Sequence, residues 1–232
     1  MRIAPDVASL LLPQRCAGCR LEGEVLCARC RAALVPVAPP LCARCGAPTS
    51  VAVGRCRECA GRRLAFASAR AAVVYRGPAV AFVREWKEAG RRGLDALAAE
   101  LVRSRLAAPE ADAISFVPAV RDRALWRGHN PAERLARALS PPWLLPVAPL
   151  LVRASSPRRQ RGLPLGERRR NVARAFVAPG PVPRRVVLVD DVYTSGATVA
   201  AAASALRAAG ARRVDVVTLA RAPRQGEWVA VR

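Results

Sequence analysis

The stretch that decides the reading is VVLVDDVYTSGATV, residues 186–199. Val186 to Val189 form an aliphatic run that reads as a buried strand. It ends in two acids, Asp190 and Asp191. Small, hydroxylated residues follow, Thr194, Ser195, Gly196, Ala197 and Thr198, and then an alanine-rich run that reads as a helix. In a parallel sheet, ligands sit beyond the carboxyl ends of the strands. The free N–H groups that open a helix attract an anion. Small side chains at Ser195, Gly196 and Ala197 let backbone approach a phosphate, and Thr194, Ser195 and Thr198 add hydroxyl donors. Carboxylates repel phosphate, but they accept hydrogen bonds from the two hydroxyls of a ribose. A ribose held by Asp190 and Asp191, with its 5-phosphate in the loop, uses every one of these groups.

Working outward, strands alternate with helices. Ala69–Tyr75 reads as a strand that Gly77-Pro78 breaks, and a helix follows from about Ala79. Leu94, Leu97, Ala98 and Leu101 share one face of a helix over Leu94–Leu106. Ile114–Val117 is a short strand closed by Pro118. Pro131–Leu139 is a helix with proline in its first turn and Asn130 as N-cap. Val147–Val152 is read as a further strand, Thr198–Ala209 as a helix stopped by Gly210, and Val214–Leu219 as the last strand. This alternation predicts an α/β fold with a mostly parallel sheet flanked by helices.

All eight cysteines lie between Cys16 and Cys59, as four Cys-x-x-Cys pairs: Cys16/Cys19, Cys27/Cys30, Cys42/Cys45 and Cys56/Cys59. Two residues between ligands let a tight turn aim both sulfurs at one metal, and two pairs complete a tetrahedral zinc site. A redox role needs one pair at the start of a helix, not four in series. No export signal is visible, which disfavours disulfides. Sequential pairing gives two sites and interleaved pairing gives other sets, so one or two Zn²⁺ ions are expected. The domains are read as residues 1–64, a zinc ribbon module, and residues 65–232, the α/β domain.

The chain has 232 residues and a formal charge of +22 from 39 basic and 17 acidic residues. That excess favours polyanions: nucleic acid, phosphorylated ligands or anionic lipid. The apolar run Pro141–Val152 carries four prolines and is too short to span a bilayer. A cytoplasmic protein is expected, with peripheral membrane association left open. ATP-driven motor chemistry is disfavoured. There is no Gly-x-x-x-x-Gly-Lys-Ser/Thr string, and the only lysine, Lys87, precedes Glu88.

The string at residues 186–199 resembles the phosphoribosyl pyrophosphate (PRPP) motif of type I phosphoribosyltransferases. That resemblance implies ribose on Asp190 and Asp191, the 5-phosphate on Thr194 to Thr198, and Mg²⁺ accompanying PRPP. In the oxopurine salvage branch an acid precedes the Thr-Gly of this loop. Here that position is Thr194, which disfavours oxopurine salvage. The whole chain resembles the ComF family of competence proteins. The resemblance rests on the four cysteine pairs, LLPQRCAGC, YRG at Tyr75–Gly77, WKEAGRRG around Lys87, VPAVRDRALWRGHNPAERLA and QRGLPLGERRRNVARAF. It implies a type I phosphoribosyltransferase-like fold behind an N-terminal double zinc ribbon. It further implies a role in DNA uptake during natural transformation, single-stranded DNA and PRPP as ligands, and a DNA-uptake helicase as partner. Active transfer to an unidentified acceptor, and a PRPP-sensing adaptor of a helicase, are the alternatives.

Lys87, the one ammonium in an arginine-rich chain, is read as a pyrophosphate or backbone-phosphate contact, or equally as a solvated lysine. His129 stands where the family has Phe, so packing is its expected role. Arg127 and Asn130 beside it are the better ligand candidates. Arg158, Arg159, Arg161, Arg169 and Asn171 belong to a basic stretch read as a flap over the PRPP site or a DNA-tracking surface. Trp86, Trp126 and Trp143 are read as core residues before base-stacking ones.

Overall fold

Strand β5 (Arg185–Tyr193) lies inside a four-stranded sheet of order β1-β6-β5-β2. Its neighbours are β6 (Arg213–Arg221) and β2 (Ala113–Phe116), and β1 (Ser68–Val74) forms the outer edge beyond β6. Every pairing within the sheet is parallel. Both faces are covered, which is why β5 reads as a continuous aliphatic run over Val186–Val189 rather than an alternating one. Val187 and Val189 face one core, and Val186 and Leu188 face the other. The computed structural model describes residues 14–88, 91, 93–119, 128–154 and 175–223.

Three helices cover the first face: α2 (Pro78–Glu88), α3 (Leu94–Arg103) and α4 (Pro131–Trp143). The second face carries α5 (Ala197–Ala208). Small alanines at Ala201, Ala202 and Ala203 let α5 lie close to the sheet. α4 starts as expected: Asn130 Oδ1 accepts the Ala132 N–H at 3.1 Å, and Pro131 fills the first turn. Among the described residues, no helix is long and apolar enough to cross a membrane.

The cysteine segment is not an appendage. One short helix, α1 (Ala28–Ala32), lies within it. Residues 35–37 then pair with the outer edge of β1, through Val37 N–H to Ala72 O at 3.1 Å and Val74 N–H to Val35 O at 2.7 Å. This covers an edge strand that would otherwise present open hydrogen-bonding groups. On one side of that edge, Cys16, Ala17, Leu26, Cys30 and Leu34 enter the core of α2, α3 and α4. On the other, Cys42, Cys45, Cys59, Leu64 and Phe66 enter the core of α5.

Several expectations need correction. β5 does not stop before the acids. It stays paired with β6 through Asp190 opposite Thr218 and Tyr193 opposite Arg221. The strand expected over Val147–Val152 does not form as one unit. Val147 makes a single bridge to Ile114, and only Val152–Arg153 is strand, here β3. Pro146 and Pro149 lack the N–H groups a continuous ladder would need. β3 pairs antiparallel with β4 (Phe176–Val177), a two-residue element too short for periodicity to show. α4 continues past Leu139 through Pro141 and Pro142 to a left-handed residue, Leu144.

Candidate functional site

Each cysteine group gathers sequential pairs: Cys16, Cys19, Cys27 and Cys30 in the first, Cys42, Cys45, Cys56 and Cys59 in the second. Within each group all four sulfurs lie within 4.8 Å of one another. A tetrahedral zinc thiolate site with bonds of about 2.3 Å has sulfur–sulfur edges of about 3.8 Å. The Cys16–Cys27, Cys19–Cys27, Cys42–Cys59 and Cys45–Cys56 separations are 3.6, 3.8, 3.6 and 3.5 Å. A disulfide would need about 2.05 Å. The spacing therefore fits two metal sites and not a disulfide framework.

Local backbone prepares the ligands. Burial opposes ionisation of Cys16, but backbone N–H groups led by that of Cys27 outweigh it and draw the thiol down to about 6. Cys42 follows the same logic: burial opposes ionisation, and N–H groups led by those of Cys45 and Cys56 bring it to about 6. Burial pushes Cys30, Cys45 and Cys59 upward. Cys19 is lowered as well, chiefly by the backbone N–H of Leu21, so each group holds a thiol drawn toward ionisation beside at least one that burial keeps protonated until a cation binds.

The acid pair sits at the carboxyl end of β5. Asp190 Oδ1 accepts the Asp191 N–H at 2.9 Å, and Asp191 Oδ1 accepts the Val192 N–H at 2.6 Å. Lys87, in the last turn of α2, places its Nζ 2.7 Å from Asp191 Oδ2. Burial, and then the negative charge of Asp191, push Asp190 up to about 8. Lys87 and Arg153 pull in the opposite direction without winning. Asp190 is thus biased toward its protonated form, beside the Lys87–Asp191 ion pair. This is a polar group set able both to accept and to donate hydrogen bonds to a diol.

The loop after β5 closes the site. Thr194, Ser195, Ala197 and Thr198 are exposed, and Gly196 is buried beneath them. Gly196 caps α5 with φ of 72°, a left-handed value that glycine adopts freely. A Cβ at this position would lie 2.2 Å from Tyr193 Oη. Ser195 Oγ accepts the Ala197 N–H at 3.3 Å. The N-cap Gly196 has no side chain to cap α5, and beyond the Ala197–Ser195 contact the helix start is an arrangement suited to an anion.

Comparison with known proteins fits this layout. Residues 7–60 match the family model of the double zinc ribbon domain, and residues 127–229 match that of the phosphoribosyl transferase domain. Competence protein F of Haemophilus influenzae is 30% identical over 227 residues, which covers 90% of this chain and 97% of that protein. The chain belongs to the competence protein F family. Among solved structures, two are similar to part of this chain. Glutamine PRPP amidotransferase from B. subtilis, complexed with ADP and GMP, is 21% identical with a TM-score of 0.41, over 59% of this chain and 30% of that one. Adenine phosphoribosyltransferase from Leishmania tarentolae is 15% identical with a TM-score of 0.32, over 57% of this chain and 73% of that one.

Other residues singled out for this competence protein F relative fall in varied places. Asn130 spends its side chain locally: Oδ1 caps α4, and Nδ2 donates to Val117 O at 3.1 Å. His129 Nε2 lies 3.0 Å from Trp86 O, a packing contact with the helix that carries Lys87. Trp86 is fully buried and donates to Asp95 Oδ1 at 2.7 Å, so it is a core residue. Arg127, Arg158, Arg159, Arg161, Arg169 and Asn171 lie outside the described residues, as does Trp126. The chain carrying the last five of those candidates enters and leaves through the β3–β4 stem. That stem is tied to the carboxyl end of β2 by Arg153 Nε donating to Pro118 O at 3.0 Å.

Three residues of the site escaped the sequence reading. Arg62 Nη2 donates to Ser195 O at 2.6 Å. Arg221, 2% exposed, pairs with Glu58 at 2.6 Å and stacks over the Tyr193 ring at 4.6 Å. Arg153 lies over the Phe176 ring at 4.8 Å and acts electrostatically on Asp190. Tyr193 stood inside the quoted string, but nothing local marked Arg62 or Arg221.

Proposed function

We propose that this competence-related chain binds PRPP at the carboxyl end of β5 and handles single-stranded DNA during uptake. The observation that carries the reading is the ion pair of Lys87 Nζ with Asp191 Oδ2 at 2.7 Å, at the end of the strand that runs on into the Gly196 loop. Asp190 and Asp191 take the ribose hydroxyls. The loop N–H groups and the hydroxyls of Thr194, Ser195 and Thr198 take the 5-phosphate. Lys87 supplies the positive charge nearest the pyrophosphate. Mg²⁺ accompanying PRPP would supply charge to shield its pyrophosphate. The DNA part of the reading is supported by the +22 charge and by the Arg-rich sequence that separates β3 from β4. A DNA-uptake helicase is the proposed protein partner, and the cytoplasm the proposed compartment.

Calorimetric titration of PRPP with Mg²⁺ tests this, using wild type and Asp190→Asn/Asp191→Asn, with and without a single-stranded oligonucleotide. The reading predicts binding by wild type and loss in the double variant. It also predicts oligonucleotide binding that weakens steeply with salt. Pyrophosphate release that depends on Asp190 and Asp191 would make the chain a transferase on an acceptor yet to be found. Absence of PRPP binding by wild type would sink the proposal.

A further inference from the structure

We propose that Arg62, at the end of the second cysteine ribbon, is a positioning residue for the phosphate loop. The proposal rests on the reading of that loop as an anion site. Arg62 Nη2 donates to Ser195 O at 2.6 Å. A trans peptide is planar, and its C=O and N–H point in opposite directions. Holding the Ser195 carbonyl toward the ribbon therefore turns the Gly196 N–H away from it. That N–H belongs to the group that opens α5, where an anion would be gripped. Tyr193 packs under Gly196, but the exposed side chains of Thr194 and Ser195 give the Ser195–Gly196 peptide no packing of their own to choose its orientation. The contact with Arg62 chooses it.

The ribbon end that carries Arg62 is itself held firmly. Arg55 Nη1 donates to Arg62 O at 3.1 Å, and the Arg62 N–H donates to Cys59 O at 3.2 Å, beside a ligand of the second cysteine group. Beneath the loop, Arg221 donates to Glu58 at 2.6 Å and to Cys45 O at 2.7 Å, so the same group is fastened to the end of β6. Between them stands Tyr193, 3% exposed, with Phe66 edge-on at 6.4 Å and Arg221 over its face. Its hydroxyl has no hydrogen-bond partner among the described residues and lies directly under Gly196. The loop is therefore set from below by a fixed ring and from the side by one guanidinium. Both supports trace back to the second cysteine group.

Hydrogen exchange of the peptide covering Thr194–Ala201 tests this on full-length protein, comparing wild type, Arg62→Ala and Arg62→Lys. Zinc content and thermal midpoint are measured on the same samples. Loss of one charge-assisted hydrogen bond is expected to speed exchange at Ala200, whose N–H donates to Gly196 O at 2.9 Å, about tenfold in Arg62→Ala. Arg62→Lys, which keeps a donor, is expected to restore most of the protection. Zinc content and thermal midpoint are expected to match wild type in both. Exchange in Arg62→Ala equal to wild type would overturn the proposal, as would equal acceleration in Arg62→Lys. A parallel PRPP titration keeps the two ideas apart. Faster loop exchange with no PRPP binding by wild type would keep the Arg62 role and remove the PRPP reading. PRPP binding with unchanged exchange would do the reverse.

Discussion

The two cysteine ribbons share one ligand chemistry and hold the domain in opposite ways. The first attaches through ion pairs that reach solvent. Arg31 meets Glu100 on α3 at 2.7 Å with both side chains about half exposed, and Arg20 meets Glu85 on α2 at 2.9 Å. The second attaches through Arg221 and Glu58, an ion pair sealed from water. The first supports α2, the helix that brings Lys87 to Asp191. Gly18 lets it come close: a Cβ there would meet Cys30 Sγ at 2.7 Å and Pro78 at 3.2 Å. The second supports the loop at Ser195 and Gly196. A buried pair tolerates little rearrangement, whereas exposed pairs adjust at small cost. The difference teaches that the loop half of the site is fixed more tightly than the lysine half.

Removing metal should be the largest perturbation, and it asks whether the ribbons are separable at all. Each ribbon lends buried residues to a main core. A structural zinc contributes on the order of 10 kcal/mol of folding energy in small modules. Chelation should therefore abolish the cooperative thermal transition of the whole chain, followed by far-UV circular dichroism with zinc release. A melt that keeps an intact α/β transition would show the ribbons to be accessories.

Next in size is Arg221→Ala, which removes the buried guanidinium shared by Glu58, the Cys45 carbonyl and the Tyr193 ring. A loss of about 3–5 kcal/mol is expected in urea unfolding. A change below 1 kcal/mol would erase the contrast between the ribbons.

Between the ribbons, the acid pair should give stability a pH dependence. Asp190 is raised to about 8 in the folded chain, against about 3.9 for an ordinary aspartate. The folded state then holds a proton that the unfolded state has released. Stability from this group is full below pH of about 4 and is lost as pH rises through about 8. Thermal midpoints across this window should fall in wild type and stay flatter in Asp190→Asn. Parallel profiles for the two proteins would contradict the assignment.

The smallest effect is expected from Arg31→Ala at the first ribbon. An exposed pair of this kind contributes about 0–1 kcal/mol. A loss as large as that of Arg221→Ala would mean that both ribbons are held alike.

Much of the frame was readable because its signals are local. Val186–Val189 is apolar on both faces, as a covered parallel sheet demands, and Val214–Leu219 keeps that character except at Asp215 and Thr218. The cysteine pairs carry their chemistry in their spacing, and Asn130-Pro131 announces a helix start. The acid pair and loop were legible as one string, and Lys87 stood out as the only lysine. What stayed hidden depends on contacts between distant residues. Arg62 and Ser195 are 133 residues apart, and Glu58 and Arg221 are 163 apart. No periodicity links them. The β3–β4 stem was missed because two residues per strand leave no pattern. The extent of β5 was missed because polar Asp190 and Asp191 look like a strand end, while their backbone still pairs with Thr218 and its successors.

The most direct test of a site assembled from both sides is PRPP titration, with Mg²⁺, of Lys87→Gln beside Gly196→Ala. One variant removes the charge that α2 delivers, and the other forces a Cβ into Tyr193 beneath the loop. The account predicts tight binding by wild type and at least tenfold weaker binding by each variant, with zinc content unchanged. Wild-type affinity retained in Lys87→Gln would show that the α2 side plays no part, and would contradict the account.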